Sequence, residues 1–221
     1  MVAHEVKSPL AATEGYLDMI LSGMPKDEEE ERRMLQRSLL RIRALRTMVS
    51  ELMNLTAMET GNFTIKRSLI DIGEVLEEAV ESCRERAREK QIALSLDSGG
   101  SVEPEHVLAD RDAMLIVFTN LIDNAIKYTP SKGHVGVRIE QNGIYVNVKV
   151  KDDGIGMTSD ERDHVFDEFY RAKNEYTASI PGTGLGLTLV KRLIEMHQGR
   201  VFVKTAPGKG SEFTVRIPIG S

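Results

Sequence analysis

The chain has one cysteine, Cys83, so no disulfide can close within it and no cysteine-rich metal site can form. Among the charges of its helix, that thiol reads as a bystander rather than a nucleophile. No apolar run approaches the roughly 20 residues of a membrane span, and no signal peptide precedes the first helix, so the sequence reads as a soluble, cytoplasmic chain without a membrane segment. A basic block interleaved with aromatics is also missing. With 29 basic residues against 34 acidic ones and a net charge of -5, no nucleic-acid ligand is expected. What remains is 221 residues, 41% hydrophobic and 29% charged, with nothing of low complexity and enough length for two modest domains.

The first helix carries a seam. Val6, Leu10, Thr13, Leu17, Ile20 and Met24 recur in steps of four and three, as in a helix packed in a bundle. His4 lies about 160° away from that stripe, which puts its imidazole in water where a partner can reach it. Glu5, next in sequence, can hold one ring nitrogen protonated and leave the other as a nucleophile, while Ser8 follows one turn on along the same face. Pro9 deprives the Glu5 carbonyl of its intrahelical donor, which predicts a local bend beside the histidine. Taken alone, His4 is also what an ordinary surface histidine looks like.

Gly23, Met24 and Pro25 end this helix near Ser22, and Asp27 caps a second that runs to about Glu59. Its apolar residues fall at Leu35, Ile42 and Val49, and again at Leu45 and Leu52, a seven-residue spacing suited to a bundle. Two helices cannot bury two such stripes, so self-association into a four-helix bundle is expected, the alternative being that the hairpin packs on the rest of its own chain. At ~1.5 Å per residue the second helix spans about 50 Å and the first about 33 Å. The mismatch reads as a fragment whose first helix began further upstream, with a dimer weakened accordingly.

Gly61-Asn62 marks a boundary between residues 1–60 and 61–221. Beyond it the pattern predicts a short strand near Phe63 to Lys66, a helix from Ile72 to Lys90, a strand from Ile92 to Leu96, a Ser98-Gly99-Gly100-Ser101 loop and a strand at Val107 to Ala109. Asp110 is placed to cap a helix reaching Tyr128, with Leu115, Phe118, Leu121, Ile122 and Ala125 on its apolar side and Asn120, Asn124 and Lys127 on another. Two strands follow, with Val135, Val137 and Ile139, then Val146, Val148 and Val150, at alternate positions, joined through Gln141-Asn142-Gly143. Asp152 continues the inward register and therefore needs donors. The glycine turn Asp152-Asp153-Gly154-Ile155-Gly156 lets a flat ligand approach the backbone; alone, it reads as a turn aspartate bonded to local amides. Between Met157 and Pro181 periodicity fails, and Phe166, Phe169, Tyr170, Arg171 and Lys173 lie in what reads as a mobile lid. Gly182-Thr183-Gly184-Leu185-Gly186-Leu187 then opens a helix to His197 and offers backbone N–H groups to a phosphate. A long polar loop precedes it and no Gly-Lys-Ser/Thr is present, so it is neither a Rossmann turn nor a P-loop. Strands Arg200 to Thr205 and Glu212 to Ile217 complete a sheet.

In this order the motifs closely resemble the sensor histidine kinases of two-component signalling, over nearly the whole chain. His4 to Leu10 looks like their H box, Asn120 to Thr129 the N box, Asp152 to Gly156 the G1 box, Phe166 to Arg171 the F box and Gly182 to Leu187 the G2 box. The resemblance implies an α-helical hairpin, a four-helix bundle as a homodimer, followed by a GHKL-type α/β sandwich with a mixed sheet that binds ATP. By similarity Asp152 receives the adenine amino group beside Gly154 and Gly156, and Asn124 with Asn120 holds Mg²⁺. Lys127 and Arg171 neutralise the phosphates. Tyr128 and Tyr170 wall the base or ribose, and Lys173, Thr183, Gly184, Leu185, Gly186 and Leu187 join the ATP-binding set. His4 then attacks the γ-phosphorus with Glu5 as base, and the phosphate passes to an aspartate on a response regulator receiver domain. Ser8 stands where many relatives have threonine or asparagine to orient water for dephosphorylating the regulator; its hydroxyl can do so, without the methyl that restricts the rotamer.

Two rival readings differ in kind. A gyrase- or Hsp90-type ATPase clamp would carry a glutamate base where this chain has Asn120. A nucleotide-binding interaction module without autokinase activity would bind ATP and leave His4 unmodified.

Overall fold

The computed structural model describes residues 2–97, 106–172, 175–178, 180 and 182–219, the side chains of residues 2–5, 8, 175 and 178 excepted. Helix α1 spans Val2–Leu21 with Pro9 inside it, and the Thr13 hydroxyl donates to the Pro9 carbonyl at 2.9 Å. Gly23, at φ +66°, turns the chain. Helix α2 spans Glu28–Glu59; Asp27 accepts from the Glu30 N–H at 2.7 Å, and the Glu30 carboxylate accepts from the Lys26 N–H at 2.8 Å. Four glutamates, Glu28 to Glu31, fill its first turn, where the helix dipole favours them.

The hairpin buries one stripe and leaves the other open. Ser38, Met48, Glu51 and Leu55 are buried on α2, with Leu45 and Leu52 half-buried beside them. Leu10, Leu17, Leu35, Ile42 and Val49 remain exposed, as expected of a surface that a second copy covers in a bundle.

The rest is an α/β sandwich. Strand β1 (Ser68–Asp71) pairs antiparallel with β3 (His106–Ala109). Helix α3 (Ile72–Glu89), helix α4 (Arg111–Tyr128) and helix α7 (Gly186–Met196) pack on the sheet formed by β2 (Ala93–Asp97), β4 (His134–Asn142), β5 (Tyr145–Asp152), β6 (Arg200–Thr205) and β7 (Ser211–Pro218). The order is β2-β4-β5-β7-β6, with β2 parallel to β4 and the other pairs antiparallel. Alternate residues of β4, β5 and β7, among them Val137, Val148 and Val215, are buried with Leu76, Phe118, Leu121 and Leu193 of the helices.

Two local expectations are corrected. The strand expected at 63–66 is absent: the Lys66 N–H goes to Asp110 Oδ2 at 2.8 Å, and ladder pairing starts only at Ser68. The β4–β5 turn falls one residue later than expected, on Gly143 (φ +62°) and Ile144, because Asn142 still pairs with Tyr145. The described part of the 157–181 stretch, where periodicity fails in the sequence, holds the short helices α5 (Ser159–His164) and α6 (Glu175–Ala178).

Polar staples fix the helices that frame the cleft. Lys90 Nζ donates to the carbonyls of Ile126 and Lys127 at 2.9 and 2.6 Å, which satisfies the open end of α4. Arg67 does the same for α7 through the Met196 carbonyl, at 2.7 Å. His197 is buried, accepts the Asp110 N–H on Nε2 at 3.0 Å and donates from Nδ1 to the Leu193 carbonyl at 2.7 Å. Those roles require a neutral ring, and burial holds its pKa below the ordinary histidine value.

The pH consequence follows. Below about pH 6.5 the unfolded chain takes up a proton at His197 that the folded chain refuses, so the contribution is complete above that pH and is lost as pH falls towards the folded pKa. Asp110 is also held low but acts only in the carboxylate range, while His164, raised by Asp167, acts with the opposite sign and is common to both proteins compared. Thermal unfolding is expected to lose more stability between about pH 7.5 and pH 5.5 in the wild type than in His197→Gln. Equal losses would contradict the assignment.

Candidate active site

Asp152 ends β5 with its side chain turned inward and only 6% exposed. Its Oδ1 accepts from the Gly154 N–H at 2.9 Å and the Ser211 N–H at 3.1 Å, while Oδ2 receives no hydrogen bond among the described residues. Burial raises its pKa, against the pull of those two amides. Two interlocked turns build this cradle. Gly156 (φ +63°) lies so close to the β6–β7 turn that a Cβ would meet the Ala206 oxygen at 1.9 Å, and a Cβ on Gly210 (φ +72°) would meet the Asp152 oxygen at 1.9 Å. Gly154 admits the end of α4, since a Cβ there would lie 2.5 Å from the Tyr128 oxygen.

Above Asp152 opens a cleft of about 1040 Å³, its solvent-facing mouth included, between α4, the lid, the loop at 182–186 and α2. Asn120, Asn124, Lys127, Tyr128, Asp152, Gly156, Tyr170, Arg171, Thr183, Gly184, Gly186 and Leu187 line it, so most of the expected residues are brought together. Gly154 and Leu185 are not on its wall: Gly154 sits against Tyr128, and Leu185 is fully buried, where it anchors the loop. Lys173 lies outside the described residues, as do the side chains of His4, Glu5 and Ser8, whose backbone belongs to α1.

The polar groups are already engaged with one another. Asn120 Nδ2 donates to the Ile116 carbonyl at 2.9 Å, which turns its Oδ1 outward towards Gly186. Asn124 makes no side-chain hydrogen bond among the described residues and keeps its amide oxygen available. Lys127 Nζ is 2.7 Å from Asp123 Oδ2, and Arg86 Nε is 3.1 Å from Asp123 Oδ1. Arg171 gives its guanidinium to lid carbonyls, those of Thr177 at 3.1 Å, Gly182 at 3.2 Å and Ile180, with Nε buried and unbonded. Arg171 thus links residues 177, 180 and 182 of the lid. Phe169, at φ +60°, is held by its N–H to the Gly184 carbonyl at 3.0 Å, which joins the lid to the glycine loop.

Sequence reasoning missed Glu51. It reaches the cleft from α2, is 8% exposed, and accepts the Thr183 hydroxyl on Oε2 at 2.6 Å; burial raises its pKa. The available signal was a carboxylate in the inward stripe between Met48 and Leu55. Ser211 and Thr177 were missed as well, since each acts through a turn or loop contact made only on folding.

A carboxylate at the base, two amides on one helix and a glycine loop at the start of another are what a nucleotide-binding ATPase fold provides. Residues 109–221 match the family described as histidine kinase-, DNA gyrase B-, and HSP90-like ATPase, and residues 1–61 match the His Kinase A (phospho-acceptor) domain. The chain belongs to that ATPase family and, with the phospho-acceptor domain ahead of it, to the sensor histidine kinases of two-component signalling. It is 27% identical over 219 residues to the sensor protein kinase WalK of Staphylococcus haemolyticus, covering 98% of this chain and 35% of that protein. The histidine kinase AdeS of Acinetobacter baumannii has the same fold, with a TM-score of 0.79, 25% identity and 98% of each chain covered. The histidine kinase ThkA, solved in complex with the response regulator protein TrrA, shares the fold at 22% identity and a TM-score of 0.78, over 99% of this chain and 60% of that one. The chain spans between 35% and 56% of the length of curated relatives that it matches.

Gly210→Ala tests the interlocked turns. It is expected to destabilise the chain by roughly 2–4 kcal/mol, through backbone strain and the clash with Asp152, in chemical denaturation. A loss of under about 0.5 kcal/mol, the range of an inconsequential surface change, would contradict the packing described.

Proposed function

We propose that this chain transfers the γ-phosphoryl group of ATP to His4 and passes it to an aspartate of a response regulator receiver domain. The observation that carries the reading is the buried Asp152 at the base of the cleft, with one oxygen held by two amides and the other left to accept from a ligand. Adenine fits that oxygen because its exocyclic amine is a donor. Tyr128 and Tyr170, both on the cleft wall, flank the base or ribose in this reading, and Gly156 lets the base approach the turn.

The phosphates extend towards Asn120, Asn124 and the loop Thr183-Gly184-Leu185-Gly186-Leu187, whose backbone opens α7. Asn124 and Asn120 suit Mg²⁺, because one amide oxygen is free of hydrogen bonds and the other is turned outward by the bond on its own nitrogen. When bound, the ion neutralises phosphate charge and fixes its orientation. Lys127, Arg171 and Lys173 supply the remaining cations. For Lys127 and Arg171 this requires an exchange of partners, from Asp123 and from the lid carbonyls, as the triphosphate enters.

His4 contributes a ring nitrogen whose lone pair forms the N–P bond while the β,γ-bridging P–O bond breaks and ADP leaves; Glu5 accepts the proton of the other ring nitrogen and keeps the ring a nucleophile. In the second step the N–P bond breaks as a regulator carboxylate forms a P–O bond. The ThkA–TrrA complex supports such a partner, and a serine hydroxyl at position 8 is a group able to orient water for a phosphatase reaction. In this reading residues 1–60 form the phosphotransfer hairpin and residues 61–221 the ATP-binding unit. The stripe containing Leu35, Ile42 and Val49 makes the homodimer. No helix among the described residues is long and apolar enough to cross a membrane, and ATP supply assigns this portion to the cytoplasm.

Incubation with Mg²⁺ and γ-labelled ATP is expected to give an acid-labile label on the wild type. His4→Gln should abolish it and Asn124→Ala should reduce it by about a hundredfold or more. A wild type that binds ATP without acquiring label would favour the interaction-module reading instead.

A further inference from the structure

Glu51 puts a carboxyl group into an anion site. It belongs to the hairpin, yet its carboxylate lies in the cleft, nine-tenths buried, and accepts the hydroxyl of Thr183 within the glycine loop at 2.6 Å. Its other oxygen, Oε1, lies 3.6 Å from where a Cβ on Gly186 would stand, beside Asn120 Oδ1 at 2.6 Å from the same point. Oε1 receives no hydrogen bond among the described residues. The donor that Glu51 holds, and the opening of α7 that it faces, are the groups on which the phosphates rest in the ATP reading. Helix α2 packs directly on α7 around this contact, so the carboxylate is carried there by a rigid element and not by a loop.

We infer that Glu51 is an autoinhibitory placeholder for nucleotide phosphate: the Glu51–Thr183 contact fastens the hairpin over the phosphate end of the cleft and is released when the triphosphate binds. Two effects enforce the exchange. Carboxylate and phosphate compete for the Thr183 hydroxyl, and a charged carboxylate repels the phosphate across the cleft. The coupling is reciprocal: whatever shifts α2 away from α7 raises ATP affinity, and ATP frees α2 by the same factor. The hairpin that carries His4 is thereby let go when its phosphate donor is in place. This inference rests on the ATP reading of the cleft.

The number of phosphates on the ligand separates this role from others. Calorimetric titration of the wild type, Glu51→Gln, Glu51→Ala and the exposed control Glu59→Gln with ATP, ADP and adenosine in Mg²⁺ tests it. Glu51→Gln retains an oxygen for the Thr183 hydroxyl but loses the charge, and is expected to bind ATP about five- to tenfold more tightly, ADP with a smaller gain and adenosine as the wild type does. Glu51→Ala should gain at least as much for ATP, and Glu59→Gln nothing. Weaker or unchanged ATP binding in both Glu51 variants, as for a residue that helps hold the metal, would overturn the inference and leave the ATP site intact. An equal gain for adenosine would also overturn it, in favour of simple packing. Failure of every chain, wild type included, to bind ATP would overturn the reading of the cleft and this inference with it.

Discussion

A carboxylate buried at the end of a strand has to be satisfied from the backbone, and the rest of this cleft depends on how that is done for Asp152. Its two amide donors come from different turns, Gly154 after β5 and Ser211 at the start of β7. Both turns must therefore meet, and they meet closely enough that Gly156 and Gly210 admit no side chain. The same junction holds α4, because the Ile155 N–H reaches the Tyr128 carbonyl at 3.2 Å. Lys90 then closes the end of α4 from α3. Strand, turns and helix are thus locked around one oxygen that has no partner among the described residues, a pre-organised acceptor at the base of the cleft.

Among the described residues, the charges that frame the phosphate end of the cleft have internal partners. Lys127 rests on Asp123, Arg171 on the carbonyls of its own lid, and Glu51 on Thr183. Buried polar groups are costly when unpaired, so a site that handles a highly charged ligand needs somewhere to put its cations and donors when the ligand is away. Here they rest on neighbours within the chain. In the proposed reading, binding is an exchange of these partners rather than the filling of a void, and it reaches the lid through Arg171 and the hairpin through Glu51.

Much of this was legible from residue types. Alternating valines in β4 and β5 fixed the inward register that buries Asp152, and Asp27 and Asp110 were readable as helix caps because an aspartate before an apolar period has few other uses. The two amides of α4 fell on one face by the helical period alone. What stayed hidden were contacts between segments distant in sequence. The 63–66 segment has the composition of a strand, but its amide goes to the cap of α4, a partner 44 residues away. The bonds of Arg171 to three carbonyls of its own lid were equally hidden, because nothing in its spacing announces a loop that folds back over it. Glu51 is one carboxylate among many on a charged helix, and it is the docking of α2 on α7 that buries it in the cleft.

The central claim is that the free oxygen of Asp152 selects the nucleotide. Guanine presents a carbonyl where adenine presents an amine, so two acceptors would face each other in a buried site. Competition of ATP and GTP for the wild-type chain tests this directly. The account predicts that ATP binds more tightly by about a hundredfold or more, in keeping with the cost of leaving a buried carboxylate oxygen unpaired. Comparable affinities for the two nucleotides would contradict it and move the base away from Asp152.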